Sequence, residues 1–502
     1  MLASVTNQVR TISTRNVSLL STKVGIPEEI LSEFKNESLL QFALSQAEYD
    51  MKKSKITTEN TTIEKPIDIS EYQQYILNFY NSDTIVPFVP IVAKGPWIIT
   101  SDNSVVYDVG GYGMLGFGHN PSWCLPILGK PHVMANIMTP SRIQPLYTKL
   151  LRSMIGSTRP QSSEKEEKDE EESSCPYSKF AFLNSGSEAM ELVSRILDTD
   201  TPDDSVNIVL TNSFHGRTPS AALLSDSCSS VYQQHVPKLV STKKDTVYTV
   251  GMNNYVEFVE MINHIRINNK TIRSVFMEPI MGEGNPGIHV SSDFYKLVRE
   301  YTQIYNIPLV IDSVQAGLRG TGYLSACDYP WLRTFDPPDI EIFSKAIFSG
   351  QYPLSLVGLS SKYADKFQTG TYGNTMTGNP KALEISYETL RRVNPSVITN
   401  IQEKGKECKD MLYRIQRKFP DIVTHVTGTG LLLALHIHPN HPVVDSEKGV
   451  ELICRNNGLL VIHGGENALR LTPHFLISSK EITLLEALLE MSLQKIRDSL
   501  FH

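Results

Sequence analysis

Between residues 179 and 395, short β-rich runs alternate with stretches of helical periodicity, and this alternation constrains the fold more than any other feature. The runs are Lys179–Leu183, Val206–Leu210, Ser274–Met277, Pro308–Ile311, Ile340–Phe343 and Leu354–Leu359. Helical spacing of apolar residues follows several of them, at Glu188–Leu197, Phe294–Tyr305 and Pro380–Val393. Parallel neighbours need a crossover that returns the chain to the same edge, so the pattern predicts an α/β fold with a mostly parallel central sheet and helices on both faces. Such sheets take ligands at the carboxyl ends of their strands.

After Pro395 the texture changes. The spacing predicts a long helix over Val397–Phe419, short strands around Val423–Ile437 and Leu459–Leu471, and a last helix opened by the capping box Ser478-Ser479-Lys480-Glu481. This reads as a smaller α/β C-terminal domain, in keeping with a chain of 502 residues that exceeds the reach of one core. Residues 1 to about 95 mix a polar leader with short amphipathic pieces such as Ile69–Tyr80, and no internal repeat is visible.

Charge narrows the function classes. Seven acids against two lysines between Glu164 and Glu172 contribute −5 of the net −7, so the remaining chain is nearly neutral and has no nucleic-acid footprint. Residues 161–174 therefore read as a disordered acidic insertion, with an interaction tail as the alternative. Apolar stretches such as Leu431–Leu435 are far too short to span a bilayer. Six scattered cysteines without a CxxC pair point to reduced thiols and to no metal site. Residues 1–26 hold no acid but carry Arg10, Arg15 and Lys23 among Ser and Thr, which fits a mitochondrial transit peptide or else a disordered tail.

Four segments carry chemistry. Gly111-Tyr-Gly113-Met-Leu-Gly116 matches GxGxxG, yet His119-Asn120-Pro121 follows where a helix should start, so it reads as a loop and not a dinucleotide site. Asn184-Ser185-Gly186-Ser187-Glu188-Ala189 joins a strand to a helix, where free N–H groups bind an anion or Ser simply caps. Asp312 directly follows a buried-strand run and needs a partner, unless it is an exposed turn cap. Lys345 is the only lysine between residues 301 and 360, in apolar company. Desolvation would free its amine as a nucleophile, whereas a lysine taken alone more often snorkels to the surface. Together they supply an anion cradle, an acid and an amine at strand ends of one sheet, the needs of pyridoxal 5'-phosphate (PLP).

The motifs LNSGSEAMEL (183–192), SFHGRT (213–218), MEPIMGEG (277–284), VIDSVQAGLRGTG (310–322), PDIEIFSKAI (338–347), GNTMTGNP (373–380) and GLLVIHGGENALRLTP (458–473) stand in one order. In that order the chain resembles the class III aminotransferases of the ornithine and 4-aminobutyrate type, of PLP fold type I, from about Phe88 to Ile482. The resemblance implies a homodimer, with residues 27–125 contributing to the small domain, 126–394 forming the large domain and 395–502 the small one. It implies that Gly186, Ser187 and the partner subunit's Thr375 bind the cofactor phosphate, that Phe214 and Val314 pack the two ring faces, and that Asp312 pairs with the ring nitrogen. Gln315 would bond the phenolic oxygen, and Lys345 would hold the cofactor as a Schiff base and shuttle the proton. Arg470 would grip an α-carboxylate, Glu283 would cover Arg470, Arg217 would hold the second carboxylate of 2-oxoglutarate, and Tyr112 would line the substrate pocket. Ser313 replaces the usual Glu, and Phe348–Gln351 and Met376-Thr377 also depart from the family pattern.

The expected activity is transfer of the terminal amine of an ω-amino or diamino acid (ornithine, lysine or 4-aminobutyrate type) to 2-oxoglutarate in the mitochondrial matrix, or otherwise in the cytoplasm. The alternatives within the fold are an α-amine or acetylornithine-type aminotransferase and an aminomutase. A scaffold that has lost activity is disfavoured by Lys345, Asp312 and Arg470.

Overall fold

Alternation along each strand sorts side chains to two faces, and the core follows it. The computed structural model describes residues 24–57, 69, 73–134, 137–160, 174–241 and 246–499. Strands β1 (Pro90–Lys94), β2 (Trp97–Thr100) and β3 (Val105–Asp108) open the fold as an antiparallel meander. The central sheet follows with β4 (Lys179–Leu183), β5 (Val206–Leu210), β6 (Val247–Val250), β7 (Ile272–Met277), β8 (Leu309–Asp312), β9 (Ile340–Phe343) and β10 (Ser355–Leu359). Their order is β4-β10-β9-β8-β7-β5-β6, and only β10 runs antiparallel to its neighbours. The carboxyl ends of six strands therefore open on one edge.

On β8, Val310 points into one core cluster while Leu309 and Ile311 point into the other; on β7, Phe276 opposes Val275 and Met277. Both faces are buried, as a sheet flanked by helices requires. Helix α1 (Gly186–Asp198) packs Ala189, Val193 and Ile196 against one face, and helix α2 (Ser292–Ile304) packs Phe294, Tyr295 and Val298 against the other. At about 25 cal/mol per Å² of buried apolar surface, such faces dominate the stability of the sheet. Helix α3 (Pro380–Arg391) starts with Pro at its first turn behind the cap Asn379.

Helix α4 (Pro395–Lys418) begins two residues earlier than the apolar spacing suggested, because Asn394 caps it and Pro395 suits its first turn. Beyond it lie β11 (Val423–Thr429), β12 (Leu432–Ile437), β13 (Leu459–Leu460), β14 (Ile462–Gly464) and β15 (Ala468–Leu471). Helix α5 (Ser479–Ser499) follows. Its capping box is reciprocal: Ser478 N–H donates to Glu481 Oε2 at 2.7 Å and Glu481 N–H to Ser478 Oγ at 3.3 Å. Strand β13 pairs in parallel with β3, Leu459 opposite Tyr107, so strands from both ends of the chain share one sheet.

Several expectations need correction. Of Ile69–Tyr80, residues 70–72 lie outside the described residues and 74–80 run as turns and bends. Tyr75, Ile76, Leu77 and Phe79 there are exposed, so this amphipathic piece buries no apolar face over 74–80. The edge strand β6 escaped notice because its side chains are mostly half-buried and mixed in polarity. The leader up to residue 23 and the acidic run 161–173 lie outside the described residues. Val24 and Ile26 are buried, and Ile26 N–H donates to Val105 O at 2.9 Å, so residues 24–26 pack with the fold. All six cysteines are free. Among the described residues no helix is long and apolar enough to cross a membrane.

Candidate active site

The strand ends deliver the site. After β4, Ser185 caps α1 by accepting from Glu188 N–H at 3.2 Å, which leaves the first-turn N–H groups of Gly186 and Ser187 without intrahelical acceptors. A helix N-terminus of this kind attracts anions. The Ser187 hydroxyl accepts from Arg217 N–H at 3.2 Å. Gly216 makes that approach feasible: its φ is +130°, and a Cβ there would fall 2.4 Å from Ser187 Oγ.

Asp312, at the end of β8, is buried and has the partner its position demanded. His215 Nδ1 lies 2.8 Å from Asp312 Oδ2, and Val314 N–H donates to Asp312 Oδ1 at 3.0 Å. His215 Nε2 is buried and finds no partner among the described residues. Glu278, just past β7, lies under the same pair. It accepts from Phe214 N–H at 2.9 Å and from Gly282 N–H at 3.0 Å, which ties two site loops together. Burial pushes its carboxyl up to about 7, with His215 opposing the rise and Asp312 adding to it. Sequence reasoning missed both His215 and Glu278, although each adjoins a residue it marked: His215 follows Phe214, and Glu278 opens the loop that carries Glu283.

Lys345 follows β9 and adopts φ +52°, a left-handed backbone uncommon outside glycine and often found where a site enforces it. Burial, and then the nearby charge of Arg470, lower its amine to about 8. The Gln315 amide, oriented by the donors around it, accepts from Lys345 Nζ at 2.9 Å and from Arg470 Nη1 at 3.3 Å. Gly113 (φ +80°) comes close enough that a Cβ would sit 3.2 Å from the Gln315 side chain and 3.7 Å from Lys345 Cδ. The GxGxxG segment is thus a loop of close backbone approach, as read. Arg319, also missed from sequence, pins this loop: fully buried, it donates to Gly113 O at 3.3 Å and to Pro473 O at 2.5 Å. Ser313 donates to the buried Glu341 of β9 at 2.5 Å, so a carboxylate stands beside this position from the neighbouring strand.

Arg470 on β15 is fully buried, donates to Gly282 O at 2.7 Å, and keeps an Nε without a partner among the described residues. Burial lowers the affinity of its guanidinium for the proton, and Glu283 is the foremost charge opposing that. Glu283 nevertheless does not cover it. The ion pair of Glu283 is with Arg217, at 3.9 Å, and no Glu283–Arg470 pair within 4 Å exists among the described residues. On Arg470 the Gly282 carbonyl and the Gln315 amide both engage Nη1. Tyr112 (φ +50°) lies with its ring 5.9 Å from the Arg470 guanidinium. Val314 and half-buried Phe214 flank the Asp312 end.

Thr375 is not brought to this group within one chain. It is exposed, and its carbonyl accepts from Ile137 N–H at 2.9 Å. Its neighbour Asn374 docks instead, accepting from Asn184 Nδ2 at 3.1 Å and donating to Glu188 Oε2 at 3.1 Å.

The chain is similar to known proteins in sequence and in fold. The aminotransferase class-III family model matches residues 81–493. The mitochondrial acetylornithine aminotransferase of Yarrowia lipolytica is 31% identical over 311 residues, covering 61% of this chain and 69% of its own. The ornithine aminotransferase of Toxoplasma gondii shares the fold with a TM-score of 0.70 at 20% identity, over 87% of this chain and 97% of its own. The taurine:2-oxoglutarate aminotransferase of Bifidobacterium kashiwanohense, solved in complex with PLP and glutamate, does so with a TM-score of 0.69 at 16% identity, over 85% and 98%. With the match spanning every strand end that builds the site, the chain belongs to the class-III aminotransferase family and has its type I fold.

Proposed function

We propose that the protein is a PLP-dependent transaminase that moves the terminal amino group of a diamino or ω-amino acid to 2-oxoglutarate. The donor set fits the cofactor: the N-terminus of α1 with Ser187 for a phosphate, Asp312 for a protonated ring nitrogen, Phe214 and Val314 for two ring faces, Gln315 for a phenolic oxygen. Lys345, half-buried with an amine lowered to about 8, suits attack on a carbonyl. When bound, the cofactor supplies an electron sink for the carbanion left by deprotonation. Lys345 Nζ would be the base that takes this proton from the amine-bearing carbon, and Gln315, which accepts from Nζ, would orient the Lys345 amine.

The observation that carries the acceptor is the pair of arginines. Arg470 is buried next to Lys345, and Arg217 stands at the mouth, so two carboxylates of one 2-oxo acid have one guanidinium each. The neighbour named for ornithine supports a diamino donor, and the relative named for acetylornithine supports the acetylornithine-type alternative. A second reading, donation of an α-amine, is favoured by one observation: Glu283 lies on Arg217, so Arg470 is uncovered for an α-carboxylate. An assay of ornithine, N-acetylornithine, lysine, 4-aminobutyrate and alanine against 2-oxoglutarate separates them. The proposal expects the terminal amines to lead, and a lead by alanine would replace it with the second reading.

Two further features belong to this proposal. A homodimer is supported by the exposed Val133, Met134, Met138 and Met376 around Thr375, which would complete the phosphate site of the partner; an active monomer in sedimentation would refute it. Mitochondrial placement is supported by the acid-free leader and the mitochondrial relative, with any cut falling before Val24; a cytosolic reporter carrying residues 1–23 would refute it.

A further inference from the structure

One side chain at the mouth belongs to none of the motifs. Tyr80 places its ring 5.3 Å from the Arg217 guanidinium, and Phe214 sits at the same 5.3 Å from that group. On its other side Tyr80 meets the Tyr112 ring, centroids 6.0 Å apart and tilted by 46°. Tyr112 in turn faces Arg470. Guanidinium, ring, ring and guanidinium thus run in one line from the buried arginine to the exposed one. Tyr80 is anchored although it lies in irregular chain. The turn Ser82–Thr84 follows it, capped by Asn81, and Thr84 O accepts from Arg455 Nη1 at 2.7 Å. Arg455 is buried and ion-paired with Glu451.

Arg217 needs such support. Its side chain is 46% exposed, and its one ion-pair partner among the described residues, Glu283, stands at 3.9 Å. A long cationic side chain in that setting samples many rotamers, and holding it against ring faces limits them. Ring contacts engage the π-face of a guanidinium and leave its N–H edge free for a carboxylate.

We propose that Tyr80 is a specificity-determining residue for dicarboxylic 2-oxo acids. Its ring holds Arg217 where the distal carboxylate of the acceptor binds in place of Glu283, and with Tyr112 it forms the wall that fixes the spacing between the two carboxylate sites. This rests on the reading that Arg217 takes that distal carboxylate.

The test compares the wild-type holoenzyme with Tyr80→Leu and Tyr80→Phe, using 2-oxoglutarate and the monocarboxylic 2-oxobutyrate as acceptors. Glutarate binding is measured by calorimetry alongside. Tyr80 is 45% exposed, so its replacement removes little core. In Tyr80→Leu, KM for 2-oxoglutarate and Kd for glutarate are expected to rise about five- to tenfold, the scale of a partly desolvated cation–π contact. KM for 2-oxobutyrate should stay within about twofold, and Tyr80→Phe, which keeps the ring, should restore the dicarboxylate values. An unchanged KM for 2-oxoglutarate in Tyr80→Leu overturns the role of Tyr80, as does an equal rise for both acceptors. A wild type with no preference between the acceptors overturns the reading of Arg217 and the proposal with it.

Discussion

The floor and the mouth of the site are built on different terms. On the floor, Asp312, His215 and Glu278 are buried, and their contacts run from 2.8 to 3.0 Å. At the mouth, Arg217 and Glu283 are half-exposed, 3.9 Å apart, and held largely by ring faces. A buried carboxylate without its partners is costly, so each floor residue depends on the others. An exposed pair contributes about 1 kcal/mol at most and exchanges partners readily. The floor can serve one chemistry, while the mouth can be retuned for a new donor or acceptor without disturbing it.

The comparison breaks first at Lys345. Replacing it with Ala should lower turnover about ten-thousandfold or more, since proton transfer and attack on the cofactor both depend on that amine. Borohydride-reduced wild type should carry its pyridoxyl label on Lys345; a label on another lysine would remove this residue from the centre. Next comes His215→Ala, which leaves Asp312 buried with one partner fewer. A loss of kcat of roughly ten- to a hundredfold is expected, the scale seen when a residue that orients a primary ligand is removed. The cofactor absorbance should shift with it, because Asp312 would hold the ring proton less firmly; a normal spectrum and rate would show that the floor does not need this histidine. The smallest effect is expected at Glu283→Gln. Losing an exposed, long ion pair should lower KM for 2-oxoglutarate about threefold, as Arg217 is relieved of a competitor. If that variant instead gains tenfold or more for α-amino donors over terminal amines, Glu283 moves onto Arg470 during turnover and the mouth works as a switch.

What was legible follows the same division. Asp312 and Lys345 could be read because each ends a short apolar run, and a charged group in that place is expensive enough to need a reason. Ser187 could be read because a strand, a small-residue turn and a helix lie consecutively in the chain. His215, Glu278 and Arg319 could not, since what marks them is a contact across 64 to 206 residues of sequence. Tyr80 stands in a segment read only as a short amphipathic piece, and its value comes from a neighbour on another loop. Glu283 has two arginines near it, and its 3.9 Å pair with Arg217, beside an Arg470 that donates to the Gly282 carbonyl, is a placement no side-chain pattern reveals.

The sheet that β13 shares with β1–β3 also sets a schedule for manufacture. Gly113 N–H meets Thr472 Oγ1 at 3.3 Å across 359 residues, and Tyr107 OH meets Glu481 across 374. The loop beside Lys345 can thus be held by Arg319 at Gly113 O, but it lacks its Thr472 contact until the β15 segment has been made. The central sheet, with its cradle and acid, can form earlier from a contiguous stretch, but contacts of such long range close late and slowly. A chain emerging from its N-terminal side would thus present an anion cradle before it has Arg470, and the complete pocket would wait for the β15 segment. If the leader does direct the protein across a membrane, the same delay keeps the chain unlocked, and so threadable, until its C-terminal strands arrive.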